Sequence, residues 1–160
     1  MTIKVGDKIP SVTLRHMSDT GIQSVTTDEL FKGKKVVLFA LPGAFTPTCS
    51  AKHLPGFVQH ADAIKKKGVD TIACLSVNDA FVMDAWGKAQ NVGENVLMLA
   101  DGNADFSKAV GLTMDGTGYG MGTRASRYAM VVDNGVVKAL NVEAPGAFEV
   151  SSAEAVIKAL

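Results

Sequence analysis

Three uninterrupted apolar runs constrain this chain more than any other feature. Val36 to Leu41, Thr71 to Val77 and Val96 to Ala100 are apolar almost throughout, without the polar alternation of a half-solvated strand. Strands of that kind are buried on both faces, which requires helices above and below the sheet. The intervening segments supply them. Leu54, Phe57, Val58, Ala61 and Ile64 recur at helical spacing up to Lys67-Gly68. Phe81, Val82, Ala85 and Trp86 do the same up to Asn91-Val92-Gly93, behind Asn78 or Asp79 as cap. Asp105 to Val110 predicts a short helix stopped by Gly111. Tyr128 to Val132 and Val136 to Leu140 flank Asp133-Asn134-Gly135, and Asn-Gly between apolar runs is a strong hairpin signal. Ala153 to Leu160 predicts a terminal helix.

Strand and helix thus alternate three times before an antiparallel hairpin and a last helix. The prediction is an α/β domain with a mixed central sheet flanked by helices, a thioredoxin-like arrangement with N-terminal additions. Those additions are short strands at Val12–Leu14 and Gln23–Val25 around a turn at residues 18–21, then a helix at 27–31 capped by Thr27 or Asp28. The chain of 160 residues suits a single domain spanning 1–160. The glycines at 111, 116, 118, 120 and 122 predict a mobile loop over 111–123. Their spacing matches neither common phosphate-binding pattern, so no nucleotide site is assigned.

Sixteen basic and sixteen acidic residues leave no formal net charge, which gives no support for a nucleic-acid or membrane-surface partner. The one basic run, Lys65-Lys66-Lys67, ends a predicted helix, where cations suit the macrodipole. No apolar run reaches the roughly 18 residues of a membrane span, and the N-terminus lacks a signal-peptide pattern. Two cysteines, Cys49 and Cys74, fit a reducing compartment better than a disulfide scaffold. The expected location is cytoplasmic.

The first apolar strand runs into Leu41-Pro42-Gly43-Ala44-Phe45-Thr46-Pro47-Thr48-Cys49, a Pro/Gly/Thr turn that delivers a thiol to the first turn of a helix. Unpaired N–H groups and the macrodipole favour negative charge there, and thiolates are the nucleophilic form of cysteine. A guanidinium would add to this, and Arg124 and Arg127 both precede the strand at Tyr128. Thr46 can cap the helix or face the sulfur. Pro55 predicts a kink if the helix begins near Pro47, the preferred reading, or a first helical position if it begins near His53. Cys49 and His53, four residues apart, also admit a metal pair or a Cys–His nucleophile, though no further ligands are evident. Cys74 sits in Ile72-Ala73-Cys74-Leu75, a setting that raises a thiol pKa and hides it. With no C-x-x-C present, the chemistry left is that of one cysteine needing outside help to reset. No metal or cofactor is expected.

Residues 42–49 resemble the P-x-x-x-T-x-x-C signature of peroxiredoxins, most closely the type-five branch that includes the plant type II enzymes. The segments 53–57, 74–82, 127–132 and 135–143 resemble that branch too. The resemblance implies that Cys49 is the peroxidatic cysteine, that Thr46 and Arg127 polarise the thiolate and the peroxide, and that Pro42 shields the site. Arg124 is then the second choice, and the N–H groups of Thr48 and Cys49 add donors for peroxide oxygens. The implied activity is reduction of hydrogen peroxide and alkyl hydroperoxides through a Cys49 sulfenic acid.

Some type-five members carry a resolving cysteine near the C-terminus. The matching segment here, Gly146 to Ser152, has none, with Val150 or Ser151 roughly at that position. The expected reductant is therefore an external thiol: glutathione, glutaredoxin or thioredoxin, with Cys74 as resolver only if its strand opens. The resemblance also implies a homodimer, with Phe45 and Phe81 as contacts unless they belong to the core. The alternative function is a peroxide sensor or thiol switch that passes oxidation to a partner.

Overall fold

The computed structural model describes residues 1–160. Its centre is a seven-stranded mixed sheet in the order β2-β1-β5-β4-β3-β8-β9. The three apolar runs become β3 (Lys35–Ala40), β4 (Thr71–Ser76) and β5 (Leu97–Ala100), adjacent and parallel. The N-terminal hairpin of β1 (Thr13–Ser18) and β2 (Gly21–Thr26) adds antiparallel to β5. On the other side β8 (Tyr128–Asp133) runs antiparallel to β3, and β9 (Val136–Val142) to β8. The turn between them has both Asn134 and Gly135 at positive φ, 49° and 80°, as the favoured hairpin geometry requires.

The period of two concealed inside the apolar runs decides which layer each residue joins. Along β3, Val37 and Phe39 belong to one hydrophobic cluster, with Leu54, Phe57, Ile64, Met83, Trp86 and Val156. Val36, Leu38 and Ala40 belong to the other, with Leu30, Phe31, Phe106 and Val110. The first layer is built by α2 (Leu54–Gln59), α3 (Ala61–Lys65), α4 (Ala80–Ala89) and α6 (Ala153–Ala159). The second is built by α1 (Thr27–Phe31) and α5 (Asp105–Val110). Cys49 and Cys74 both fall in the first.

Three expectations needed correction. Helix α1 is capped by Thr26, whose hydroxyl accepts from Glu29 N–H and donates to the Glu29 carboxylate. Thr27 instead ties Val12 N–H to the Pro10 carbonyl. Residues 113–125 form a hairpin where a continuous loop was expected: β6 (Thr113–Asp115) pairs with β7 (Thr123–Ala125), and the glycine-rich connection is confined to 116–122. The helix does begin at Pro47, but Pro55 is accommodated by a widened π turn at Cys49–His53, with Leu54 N–H donating to the Cys49 carbonyl. A proline cannot donate and crowds the carbonyl four residues back. One extra residue in the turn relieves both, a recurrent use of π turns in helices.

Phe39 of β3 stacks on Phe57 of α2 with ring centroids 3.9 Å apart, and both are fully buried. Phe57→Ala is expected to lower unfolding free energy by about 3–5 kcal/mol, read from denaturant titration.

Candidate active site

The turn from Pro42 to Thr48 is held from two sides and closed by a bond within itself. Ala44 N–H donates to the Asn78 side chain at 3.0 Å, just after β4. Arg124, from β7, donates to the Pro42 carbonyl at 3.3 Å and to the Met121 carbonyl at 3.0 Å. The Thr46 hydroxyl donates to the Gly43 carbonyl at 2.7 Å. Of the two roles open to Thr46, neither a side-chain cap nor a bond to sulfur is made; the hydroxyl closes the turn and retains oxygen lone pairs. Gly43 permits the close approach, since a Cβ there would lie 2.8 Å from an Arg124 guanidinium nitrogen. Phe45 occupies the left-handed region at φ 62°, rare for a bulky residue and characteristic of strained functional turns.

Cys49 is fully buried, in the first turn of the helix. Arg127 Nη2 donates to its sulfur at 3.1 Å. The register explains the meeting: Ala40 at the end of β3 pairs with Tyr128, so the residue before Tyr128 lies beside the turn that leaves β3. Arg127 therefore faces the thiol, and Arg124 braces the turn instead. The N–H groups of Thr48 and Cys49 have no acceptor within the protein, which leaves them free for anionic oxygens.

His53 was open to a pairing with Cys49, and the geometry gives it another task. Its Nδ1 lies 2.9 Å from Arg127 Nη1, and its Nε2 lies 3.0 Å from the Ser151 carbonyl. A carbonyl only accepts, so the proton sits on Nε2, and bare Nδ1 accepts from the guanidinium. Burial, with the Arg127 charge added, lowers the His53 pKa to about 3. The imidazole is thus neutral and fully engaged, available neither as a base for Cys49 nor as a metal ligand. It packs among Phe39, Phe57 and Phe148, with centroids 5.1, 5.7 and 5.1 Å away. Phe148 also lies 5.9 Å from the Arg127 guanidinium carbon, within cation–π range.

The loop supplying Ser151 and Phe148 is gathered around Glu143. Burial alone would raise the Glu143 carboxyl, but the Ser151 hydroxyl and the N–H groups of Glu149, Ser151 and Val150 outweigh it and hold it below the usual range. Sequence reading missed the roles of His53, Glu143 and Ser151. The only signal in the sequence was a histidine one turn beyond the thiol; nothing there pointed to Arg127 or Ser151 as its partners.

Cys74 lies on the central strand β4, paired in register with Phe39 and fully buried. Burial pushes its thiol well up, and nearby Cys49 adds to this. Both cysteines are free. A cleft of about 530 Å³ reaches the site; its walls include Pro42, Thr48 and Arg127 on one side and Thr113, Met114 and Ala147 on the other.

A buried thiol held by a guanidinium, at a helix start on a thioredoxin-like sheet, defines a cysteine-based redox protein. The Redoxin family model matches residues 4–157. Peroxiredoxin-2E-2, chloroplastic, of Oryza sativa subsp. japonica is 54% identical over 99% of this chain and 73% of its own length. Peroxiredoxin-2B of Arabidopsis thaliana is 46% identical over 99% of this chain and 98% of its own. Reduced Prx3 of Vibrio vulnificus in complex with hydrogen peroxide superimposes with a TM-score of 0.96, at 59% identity, covering 99% of each chain. This chain belongs to the peroxiredoxins of the Redoxin family. It is a thiol-dependent peroxidase.

The neutral state of His53 gives stability a pH dependence. With a folded pKa near 3 against 6.5 unfolded, protons bind the unfolded chain first as pH falls below 6.5. Stability is therefore full above 6.5 and declines below it, by about 2 kcal/mol at pH 5. Ordinary carboxylates hardly titrate in that window. His53→Gln should be less stable at pH 7.5 yet lose less between pH 6.5 and 5, as measured by urea unfolding.

Proposed function

We propose that Cys49 runs a one-cysteine peroxidase cycle completed by an external thiol. The observation carrying this is the Arg127 Nη2 contact with Cys49 Sγ at 3.1 Å, together with the enclosure of the only other cysteine in the central sheet. The Cys49 thiolate attacks one oxygen of a hydroperoxide. A sulfur–oxygen bond forms, the O–O bond breaks, and the electron pair leaves on the distal oxygen, which takes up a proton to become water or an alcohol. Charge thus grows on the departing oxygen. Arg127 and the N–H groups of Thr48 and Cys49 are fixed donors for it, and the Thr46 hydroxyl offers an acceptor to the proton-bearing peroxide oxygen. Such preorganised donors are worth several kcal/mol in a shielded pocket. Pro42 covers the site on the cleft side.

The product is Cys49 sulfenic acid. A thiol condenses with it, releasing water and leaving a mixed disulfide. A second thiol then attacks the sulfur of the first, freeing Cys49. Segment 146–152, which corresponds to the part of some type-five members that carries a resolving cysteine, holds none, which favours glutathione with glutaredoxin, or thioredoxin, as reductant. Phe45 and Phe81 are not core: they are 57% and 64% exposed. Exposed aromatics beside the active-site turn support a homodimer packed through this face. Two unpaired thiols suit a reducing compartment, and the cytoplasm is the location proposed; no helix is long and apolar enough to cross a membrane.

Intact-mass measurement after one equivalent of hydrogen peroxide and excess glutathione should show a glutathione adduct at Cys49. A Cys49–Cys74 bridge instead would sink the external-thiol cycle. Cys49→Ser should abolish peroxide consumption. Sustained turnover with glutathione and glutaredoxin separates an enzyme from a sensor, which would stop after one oxidation. For the dimer, Phe81→Glu should shift sedimentation toward a monomer.

A further inference from the structure

Glu143 follows β9, and its N–H donates to the Arg127 carbonyl at 3.0 Å, one step beyond the β8–β9 ladder. Its carboxylate turns toward residues 149–151 and receives hydrogen bonds from four groups. Glu149 N–H approaches both oxygens, at 2.9 and 2.8 Å. Val150 N–H, Ser151 N–H and the Ser151 hydroxyl donate to Oε2 at 2.9, 2.8 and 2.7 Å. Successive N–H groups curled round an anion form a nest, and only an all-acceptor group fits one. The Ser151 carbonyl, fixed at the far side of the same residue, meets His53 Nε2.

The contacts close a ring: Arg127 backbone to Glu143, Glu143 to Ser151, Ser151 to His53, and His53 back to the Arg127 guanidinium. We propose that Glu143 is a positioning residue for Arg127, clamping segment 149–151 so that the Ser151 carbonyl sets the His53 tautomer and the imidazole aims the guanidinium at Cys49. The segment contributes twice, because Phe148 is placed against the guanidinium by the same clamp. Once the Ser151 carbonyl is released, the proton of His53 is free to move to Nδ1. Donor would then face donor at Arg127 Nη1, and the guanidinium would swing from the sulfur. Glu143 touches no reacting atom; it acts through two other residues. The effect on peroxide rests on the peroxidase function of Cys49, whereas the effect on thiol reactivity does not.

The test compares wild type with Glu143→Gln, near-isosteric but presenting an NH2 to a nest of donors. Glu143→Asp, one methylene short, is a second variant should the first not fold. Ser152→Ala is the stability control: it removes the cap that accepts from Ala155 N–H and leaves the clamp intact. Stopped-flow peroxide reaction, the pH profile of Cys49 alkylation by iodoacetamide, and melting temperature are read for each. Loss of a charge-assisted hydrogen-bond network predicts a peroxide rate constant about tenfold lower in the Glu143 variants, with the alkylation midpoint moved to higher pH. Ser152→Ala should melt earlier with rate and profile unchanged. Glu143 variants with wild-type rate and profile would overturn the clamp, as would equal rate losses in Ser152→Ala at matched melting temperature. A wild-type protein that consumes no peroxide would refute the peroxidase function, while the alkylation profiles would still decide the clamp.

Discussion

The structure depends on one guanidinium divided between two partners. Arg127 gives one nitrogen to the Cys49 sulfur and another to His53. A guanidinium has donors in a rigid planar fork and no acceptor, so it can bridge two fixed groups while remaining charged. That bridge joins elements far apart in sequence: the turn after β3, the π turn, the start of β8 and the loop before α6. The sheet exists, functionally, to bring them together. Antiparallel pairing of β3 with β8 sets the distance between thiol and arginine, and the apolar layer of Phe39, Phe57 and Phe148 keeps water from loosening it.

The neutral imidazole is what makes this arrangement possible. A charged His53 would repel the guanidinium it now accepts from. Burial removes that option, and the Ser151 carbonyl selects the tautomer. Local strain is concentrated nearby, with a left-handed Phe45 on one side of the thiol and a widened turn on the other. Departures from ideal helix geometry are commonly found where function demands a particular side-chain direction.

Much of this was legible in the sequence, for physical reasons that also explain the rest. Apolar strands such as Val36–Leu41 announce double-sided burial, so the layers and the Asn134-Gly135 hairpin could be read directly. The meeting of Cys49 with Arg127 was legible through a local motif and its resemblance, whereas the Thr46 hydroxyl, expected at the sulfur, closes its own turn on the Gly43 carbonyl. The β6–β7 hairpin was not, because strands of three residues with little apolar alternation carry no periodic signal. Pro55 announced a disturbance but not its form, since a kink and a π turn both relieve the same clash. His53 was misleading because spacing along the helix pointed to Cys49, while its partners Arg127 and Ser151 arrive from distant segments. The Glu143 clamp relies on backbone N–H groups, which every sequence has and none advertises.

The shape of the Arg127 guanidinium, rather than its charge alone, organises the site. Arg127→Lys keeps the charge but cannot reach sulfur and imidazole together. Stopped-flow measurement of the first peroxide reaction should show a rate constant lower by about 100-fold or more, with His53 left without its donor. A rate near wild type in Arg127→Lys would contradict the account.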